Sequence, residues 1–359
     1  QNQAIVATIN DLLKKCYRNQ PNLRENLHQL ILCGNSTMQH LFFKLNPTAL
    51  GVFPYANIYE NSILTSNALC GLSIPDFAAI EFLPLLGGFV GADTTAVLLT
   101  MPQDEKKYLM IDLGTNGEIA VGNHNQFYTA STACGPALEG ACLECGMRAS
   151  DGAIEKITLD DNVLTLEVIG NSPPIGLCGS GIIDAVAVLR AAGIIDASGY
   201  LLTPDEYAKK CPASPLVSQL CLTDDDDVVF FFSQEPTPVF ISQNDIRQIQ
   251  LAKSSIYSGC LTLLGECGLT LDDIDALILA GAFGNFIDIK NALAIGLLPP
   301  LAADKISSIG NGAGLGVQLC LLNHTETKRA NRIKENTIQI NLADSPDFME
   351  AYIMNMNFN

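Results

Sequence analysis

The chain is short of positive charge. Its 20 Lys and Arg face 38 Asp and Glu over 359 residues, a formal net charge of −18. That balance argues against a nucleic-acid surface and against binding to anionic membranes. A protein partner with a basic face is compatible with it. The chain also lacks any uninterrupted apolar run of the roughly 18 to 20 residues that a membrane span requires. Its opening stretch, QNQAIVATIN, has no signal-peptide character, so a cytoplasmic location is expected. The 12 cysteines have no repeating spacing, and Cys33, Cys260 and Cys320 sit in apolar segments. They read as small buried hydrophobes, and a disulfide framework is not expected. What is present is 48% hydrophobic content, enough for a large core, and a length with room for two lobes.

The most informative stretch is Tyr108 to Val121, YLMIDLGTNGEIAV. Tyr108 to Ile111 has the makeup of a buried strand, and Ile119 to Val121 resumes it after a glycine turn. Gly114 and Gly117 let backbone N–H groups approach an anion closely, and Thr115 and Asn116 add short side-chain donors. Asp112 and Glu118 would repel a bare phosphate, so their presence makes most sense if a hydrated Mg²⁺ mediates the contact. An ordinary β-hairpin with an Asn-Gly turn is the alternative.

Taken in order, Gln3 to Tyr17 carries a helical apolar stripe with no strand ahead of it, as though the chain starts mid-fold. Leu30 to Cys33 predicts a strand that runs into Gly34, Asn35, Ser36 and Thr37, with a helix from Met38 to Leu45. Asn35 there is an anion contact or a plain helix cap. Residues 46 to 78 read as an irregular connection. Ile80 to Leu83 predicts a strand, followed by a glycine-rich turn and a helix through Leu99, where Asp93 either caps the helix or faces the same cleft as Asp112. Gln126 to Ala130 predicts a strand. Gly135 to Arg148 predicts a helix carrying Glu139, Glu144 and a lone Cys142-x-x-Cys145 pair, which lacks the further ligands of a metal site.

Ala153 to Leu159 and Val163 to Ile169 predict a hairpin. Gly179, Ser180 and Gly181 then precede the helix Ile182 to Ala192, either as an anion site at a helix start or as a close crossing of helix and strand. Residues 199 to 227 read as loop, with Asp224 to Asp227 a solvated face. Strands Val228 to Phe232 and Val239 to Ile241 lead to the long amphipathic helix Asn244 to Cys267, capped by Ser242. The buried strand Ala276 to Ala280 ends in Gly281, Ala282, Phe283, Gly284 and Asn285, and a helix runs from Ile289 to Ile295. A last strand, Ile306 to Ile309, ends in Gly310, Asn311 and Gly312 ahead of the helix Leu315 to Leu322. These elements predict an α/β fold of mixed sheets flanked by helices. Ligands bind beyond the carboxyl ends of strands in such sheets, where Asp112, Gly179, Gly281 and Asn311 would all emerge.

Asp112 to Glu118 together with Gly281 to Asn285 resemble the phosphate and adenosine signatures of the ASKHA superfamily, the two-lobed actin-like or RNase H-like fold. More narrowly, Gly34-Asn-Ser-Thr-Met38, Gly88-Phe-Val-Gly-Ala-Asp93, Cys134-Gly-Pro-Ala-Leu-Glu-Gly140, Cys145-Gly-Met-Arg148 and Cys178-Gly-Ser-Gly-Ile-Ile-Asp184 resemble the C-terminal region of reductive activators of corrinoid proteins. The resemblance implies a first ASKHA lobe over 1–107, incomplete because an earlier Asp-x-Gly-Thr-Thr turn is missing. It implies a second lobe over 108–343 and a tail over 344–359. It further implies an ATP-driven accessory that returns the cob(II)alamin of a methyl-transfer corrinoid protein to cob(I)alamin. No cysteine cluster here has ferredoxin spacing, so the electrons are expected from an iron–sulfur domain or protein outside this chain, and residue 1 is expected to lie inside a longer polypeptide.

In that assignment Asp112 holds hydrated Mg²⁺, with Glu118 ordering the same water shell and Gly114, Thr115, Asn116 and Gly117 contacting the phosphates of ATP. Gly179, Ser180 and Gly181 form a second phosphate contact. Gly281, Ala282, Phe283 and Gly284 lie beside the adenosine, and Gly310, Asn311 and Gly312 close that side. Asp93 and Asn35 approach from the first lobe, so hydrolysis requires closure. A small-molecule kinase on the same fold and a nucleotide-independent docking module are the rival readings, and a homodimer is compatible with each.

Overall fold

The computed structural model describes residues 1–53, 55–281, 284 and 286–358. The chain divides into two compact units and passes between them several times. The first unit gathers Gln1–Lys107, Ala120–Ala130 and Asn311–Ile340; the second gathers Tyr108–Ile119, Ser131–Gly310 and Asn341–Asn359.

In the first unit a three-stranded sheet forms from Gln29–Leu32, Ile63–Ser66 and Ala79–Phe82, with the last strand central. It runs parallel to Gln29–Leu32 and antiparallel to Ile63–Ser66. The helix Asn2–Asn19 lays its apolar stripe on this sheet: Leu13 joins Leu27, Phe42, Ile74 and Ile80 in one core cluster, with Ile5 and Ile9 packed against it. Helix Ala92–Leu99 is buried at almost every position. Helix Gly312–Leu322 crosses it so closely that a Cβ on Gly316 would stand 1.9 Å from the carbonyl oxygen of Ala96. Only glycine allows that approach. Arg329, on helix Thr325–Glu335, donates to the carbonyls of Leu99 and Met101 at 3.0 and 3.1 Å, which caps the end of the buried helix.

The second unit is built on parallel strands. Ala276–Ala280 lies between Tyr108–Leu113 and Ile306–Gly310, parallel to both. Tyr108–Leu113 and Ala276–Ala280 are apolar nearly throughout, as expected when both faces are covered, while Ile306–Gly310 at the sheet edge exposes Ser307 and Ser308. A second sheet pairs Ala153–Asp160 with Val163–Val168 and with the short strand Gly176–Leu177. Helix Gly179–Ala191 packs on it. A Cβ on Gly181 would stand 2.1 Å from the Ile154 carbonyl oxygen. The 24-residue helix Gln243–Glu266 starts at a capping box in which Ser242 and Asp245 exchange hydrogen bonds.

The α/β architecture of mixed sheets and flanking helices is the one the sequence predicts, but several elements differ. The expected helix Gly135 to Arg148 is instead a single 3₁₀ turn, Pro136–Glu139, between Gly135 at φ +73° and Gly140 at φ +78°, with Cys142 at φ +64° beyond it. Left-handed residues end a right-handed helix. The segment then folds back, so that Met147 donates to Leu177 O and Leu177 to Cys145 O. Cys142 and Cys145 therefore share no helical face. Residues 199 to 227, expected as loop, contain helix Pro204–Lys210, with a Thr203–Glu206 capping box, and strand Leu220–Leu222. Strand Ile63–Ser66 and helix Asn67–Cys70 interrupt the expected irregular stretch 46 to 78. Residues beyond 322 form helix Thr325–Glu335, strand Thr337–Gln339 and helix Pro346–Met354.

Candidate functional site

In the second unit three strand ends come level. Asp112 pairs in register with Ala280, and Ala280 with Gly310. Gly281 follows directly at φ +95°, and a Cβ there would stand 2.7 Å from Leu113 O and 2.8 Å from Asp112 Oδ1. Parallel pairing thus sets the carboxylate of Asp112 beside a backbone that only glycine can supply. The strand after Asp112 makes a tight turn, with Gly114 N donating to Asn116 O at 3.1 Å. Thr115 and Asn116 are exposed, while Gly114 and Glu118 are half-buried. No neighbour crowds a Cβ built on Gly114, whose nearest atoms lie 3.6 and 3.8 Å away. The turn is uncrowded at Gly114, whereas Gly117 is buried and a Cβ there would meet Thr132 Oγ1 at 2.8 Å and Ile256 Cγ1 at 3.1 Å, so that glycine is explained by packing.

Two residues outside the predicted set belong to this turn. Thr115 Oγ1 donates to Glu139 Oε1 at 2.8 Å. Behind the turn, the Cys134 thiol donates to the carbonyls of Gly114 and Thr115, at 3.4 Å each. Burial, joined by the charges of Glu118 and Glu139, pushes the Cys134 thiol up to about 12. It is a packed support and not a nucleophile. The sequence places Glu139 only on a helix; the 3₁₀ turn, invisible to periodicity, is what brings it round.

Glu139 also borders a pocket of about 360 Å³, whose other walls include Arg148, Glu155, Ile169, Ser180 and Phe286. Gly179 and Ser180 therefore share a cavity with the residue that bridges to the phosphate-like turn. Gly181 packs against the Ile154 backbone instead, which is the close-crossing reading of that glycine. Asp184, one turn along the same helix, accepts from Ile157 N at 3.1 Å and from Asn291 Nδ2 at 2.6 Å. Burial raises its pKa, and the two donors oppose that rise. Gly284 is buried close behind Gly281, whose carbonyl accepts its N–H at 3.1 Å. Ala282, Phe283 and Asn285 lie outside the described residues.

The remaining candidates lie in the first unit. Asn35 caps helix Ser36–Phe42, accepting from Met38 N at 2.9 Å. Asp93 Oδ1 accepts from Thr94 N at 2.9 Å, and burial raises its carboxyl pKa. The two turns pack on one another: Ala92 N donates to Gly34 O at 2.9 Å, and a Cβ on Gly91 would meet Asn35 Cα and Asp93 Oδ1 at 2.5 Å each. Asn311 caps the helix that begins at Gly312, accepting from Gly314 N at 2.8 Å. The next residue, Ala313, receives the thiol of Cys33 at its carbonyl, 4.0 Å away. Asn35, Asp93 and the Asn311–Gly312 turn thus form a second cluster around the end of strand Gln29–Leu32.

Comparison with known proteins gives this geometry a family. Residues 106–359 match the family model described as the C-terminal domain of RACo, the ASKHA domain, and residues 1–106 match the RACo middle region. The chain is 44% identical over 361 residues to the corrinoid activation enzyme RamQ of Eubacterium limosum, covering 99% of this chain and 60% of the relative. It is 27% identical over 285 residues to a Co(II) methylated amine-specific corrinoid protein reductase of Methanosarcina barkeri, covering 72% of this chain and 45% of that protein. The solved structure of a reductive activator for corrinoid, iron-sulfur protein superposes with a TM-score of 0.88 at 29% identity, over 99% of this chain and 56% of that one. The chain therefore spans 60% or less of the length of each of these relatives. By these matches it belongs to the RACo family, over the middle region and the C-terminal ASKHA domain.

Proposed function

We propose that this chain is the nucleotide-driven part of a reductive activator, which returns the cob(II)alamin of a methyl-transfer corrinoid protein to cob(I)alamin in the cytoplasm. The electrons would come from an iron–sulfur group carried outside this chain. The names of the relatives support the corrinoid protein as partner. The observation that carries the nucleotide reading is the placement of Asp112 beside Gly281, next to a glycine turn whose Thr115 and Asn116 are exposed.

The residues fit MgATP. Gly281 brings its backbone against Asp112 where a Cβ would clash, and Thr115 and Asn116 are exposed at the tip of the turn, where short donors suit phosphate oxygens. Among the described residues no three carboxylate, histidine or cysteine side chains converge as direct metal ligands, so Asp112, with Glu118 beside the same turn, suits an ion that is held through its water shell. Asp112 would hold that hydrated ion, Thr115 and Asn116 would orient phosphate oxygens, and Gly179 and Ser180 would offer the positive end of helix Gly179–Ala191. The apolar side chains of Ile169 and Phe286 in the adjoining pocket suit a nucleoside better than a free phosphate. MgATP supplies the free energy that an uphill electron transfer needs. The protein uses it only insofar as it binds nucleotide differently in two conformations.

The test is calorimetric titration of this chain with MgATP and with a non-hydrolysable analogue, with and without a cob(II)alamin-loaded corrinoid protein. Nucleotide should tighten or loosen the partner by the same factor that the partner changes nucleotide affinity. Asp112→Ala should abolish magnesium-dependent binding. Unchanged affinity in that variant removes the reading, and tight partner binding that ignores nucleotide would replace it with a docking module.

A further inference from the structure

On the first unit, apart from every residue assigned above, lies a pocket of about 210 Å³. It opens between the segment after helix Ala92–Leu99, the turn at 124–125 and helix Thr325–Glu335. Arg329, Arg332 and His124 line it together with the carboxamides of Gln103, Asn125 and Asn336, and no carboxylate among the described residues lines it. In a chain with 38 acidic and 20 basic residues, a cationic pocket free of carboxylates is a local inversion of charge.

The geometry suits an anion. Arg329 is fixed by two carbonyls and by Glu326 at 3.0 Å, with 13% of its side chain exposed, and is thus a rigid wall. Arg332 follows at i+3 and Asn336 four residues later, which places all three on one helical face. No hydrogen bond or ion pair occupies the guanidinium of Arg332 among the described residues, so its paired N–H donors are available. His124 is oriented through Nδ1, 2.7 Å from Asp104 O. Glu105, largely exposed, reaches Asn125 at 3.1 Å and His124 Nε2 at 3.7 Å from beyond the lining. It is an exposed carboxylate that an incoming anion can displace. The floor is Phe127 and Ile333, both buried. The volume equals about seven waters at ~30 Å³ each, enough for a phosphate or diphosphate and below the usual range for a nucleotide-sized ligand.

We propose that this pocket binds a small oxyanion of the phosphate or diphosphate class, with Arg332 as its principal donor. This does not depend on the nucleotide reading, because the residues are disjoint. The test is NMR titration of the ¹⁵N-labelled full chain with inorganic phosphate and with diphosphate, without magnesium or nucleotide. The readout is the His124 imidazole signal, assigned through His124→Gln among the four histidines. A saturable shift is expected in the wild type and in Asp112→Ala, at least tenfold weaker in Arg332→Ala and intermediate in Arg332→Lys, which keeps charge but loses the paired donors. Arg332 is exposed, so an unchanged melting temperature confirms that the variant folds. A shift reproduced by sodium chloride at equal ionic strength, or one equally strong in Arg332→Ala, overturns the proposal. So does a shift lost in Asp112→Ala and kept in Arg332→Ala, which would put the anion at the glycine turn.

Discussion

Gly281 lies against Asp112: a Cβ on the glycine would approach the aspartate Oδ1 to 2.8 Å and Leu113 O to 2.7 Å, at a backbone φ of +95°. Both the dihedral and the space exclude a side chain, and for different reasons. The left-handed conformation alone costs an alanine on the order of 1–3 kcal/mol. The contact adds displacement of the carboxylate that the nucleotide reading requires to stand still. Gly281→Ala is therefore expected to lower the urea midpoint of unfolding and to weaken MgATP binding by more than the stability loss alone would explain. Calorimetry on the folded variant separates the two. Wild-type affinity in folded Gly281→Ala would show that the position of Asp112 does not matter for nucleotide.

The Thr115–Glu139 hydrogen bond, 2.8 Å, ties the turn to the wall of the adjoining pocket. A neutral acceptor at the same place keeps the bond, whose net worth is about 1 kcal/mol, and removes the charge. Glu139→Gln should then leave stability nearly unchanged while reducing the magnesium dependence of nucleotide affinity. Titrations at several magnesium concentrations decide the matter, and an identical dependence in wild type and variant would reduce Glu139 to a purely structural tie.

Much of this arrangement is legible in the sequence because it is local. Asp112, Gly114 and Gly117 are placed by one strand and one turn, and Gly281 by the next strand of like composition. Parallel register then brings them level without further information. The turn at Gly179 to Gly181 is legible for the same reason, but Gly181 itself answers to a distant neighbour, the backbone of Ile154. What stayed hidden depends on left-handed residues and on distance. The 3₁₀ turn at Pro136–Glu139 is fixed by Gly135, Gly140 and Cys142 at positive φ, and an apolar count at helical spacing cannot register a change of handedness. Cys134 behind the turn, Arg148 in the pocket and the pairing of Asn35 with Asp93 through Gly91 are tertiary facts. A single residue type at a single position carries no signal for them.

The thiols give a pH dependence of known sign. Burial holds Cys134 and Cys267 up to about 12 and Cys320 up to about 11, against an ordinary value of about 8.5. The folded state keeps these protons after the unfolded chain has released them, so their stabilising contribution is full below about pH 8.5 and declines as pH rises toward 12. Because the thiolate is the reactive species, iodoacetamide at pH 8 should label exposed Cys16 and Cys142 well before Cys134. Mass mapping of labelled peptides over time checks the order. Early modification of Cys134 would mean that the turn above it opens readily.

Lys253 behaves in the opposite sense. It is 2% exposed within helix Gln243–Glu266, donates to the Asn357 carbonyl and sits 5.5 Å over the Phe358 ring. Gln250 and Ser254 of the same helix bond Met356 O and Tyr352 O, so the C-terminal segment is strapped across it. Burial lowers the lysine to about 8. Below that pH both folded and unfolded states hold the proton and the cost of the buried charge is fully present. Between about 8 and 10.4 the unfolded chain keeps the proton that the folded one sheds, so stability rises with pH by up to about 1.4 kcal/mol per unit. Integrated over the window the effect is roughly 3 kcal/mol, against about 1 kcal/mol for the hydrogen bond that a substitution removes. Lys253→Met should therefore be the more stable protein at pH 7, with an advantage that shrinks steadily and reverses by about pH 10.4. Comparing the two proteins at each pH cancels the thiols. A difference that stays constant across the window would show that the ammonium is solvated and that the strap is held by the Gln250 and Ser254 hydrogen bonds without it.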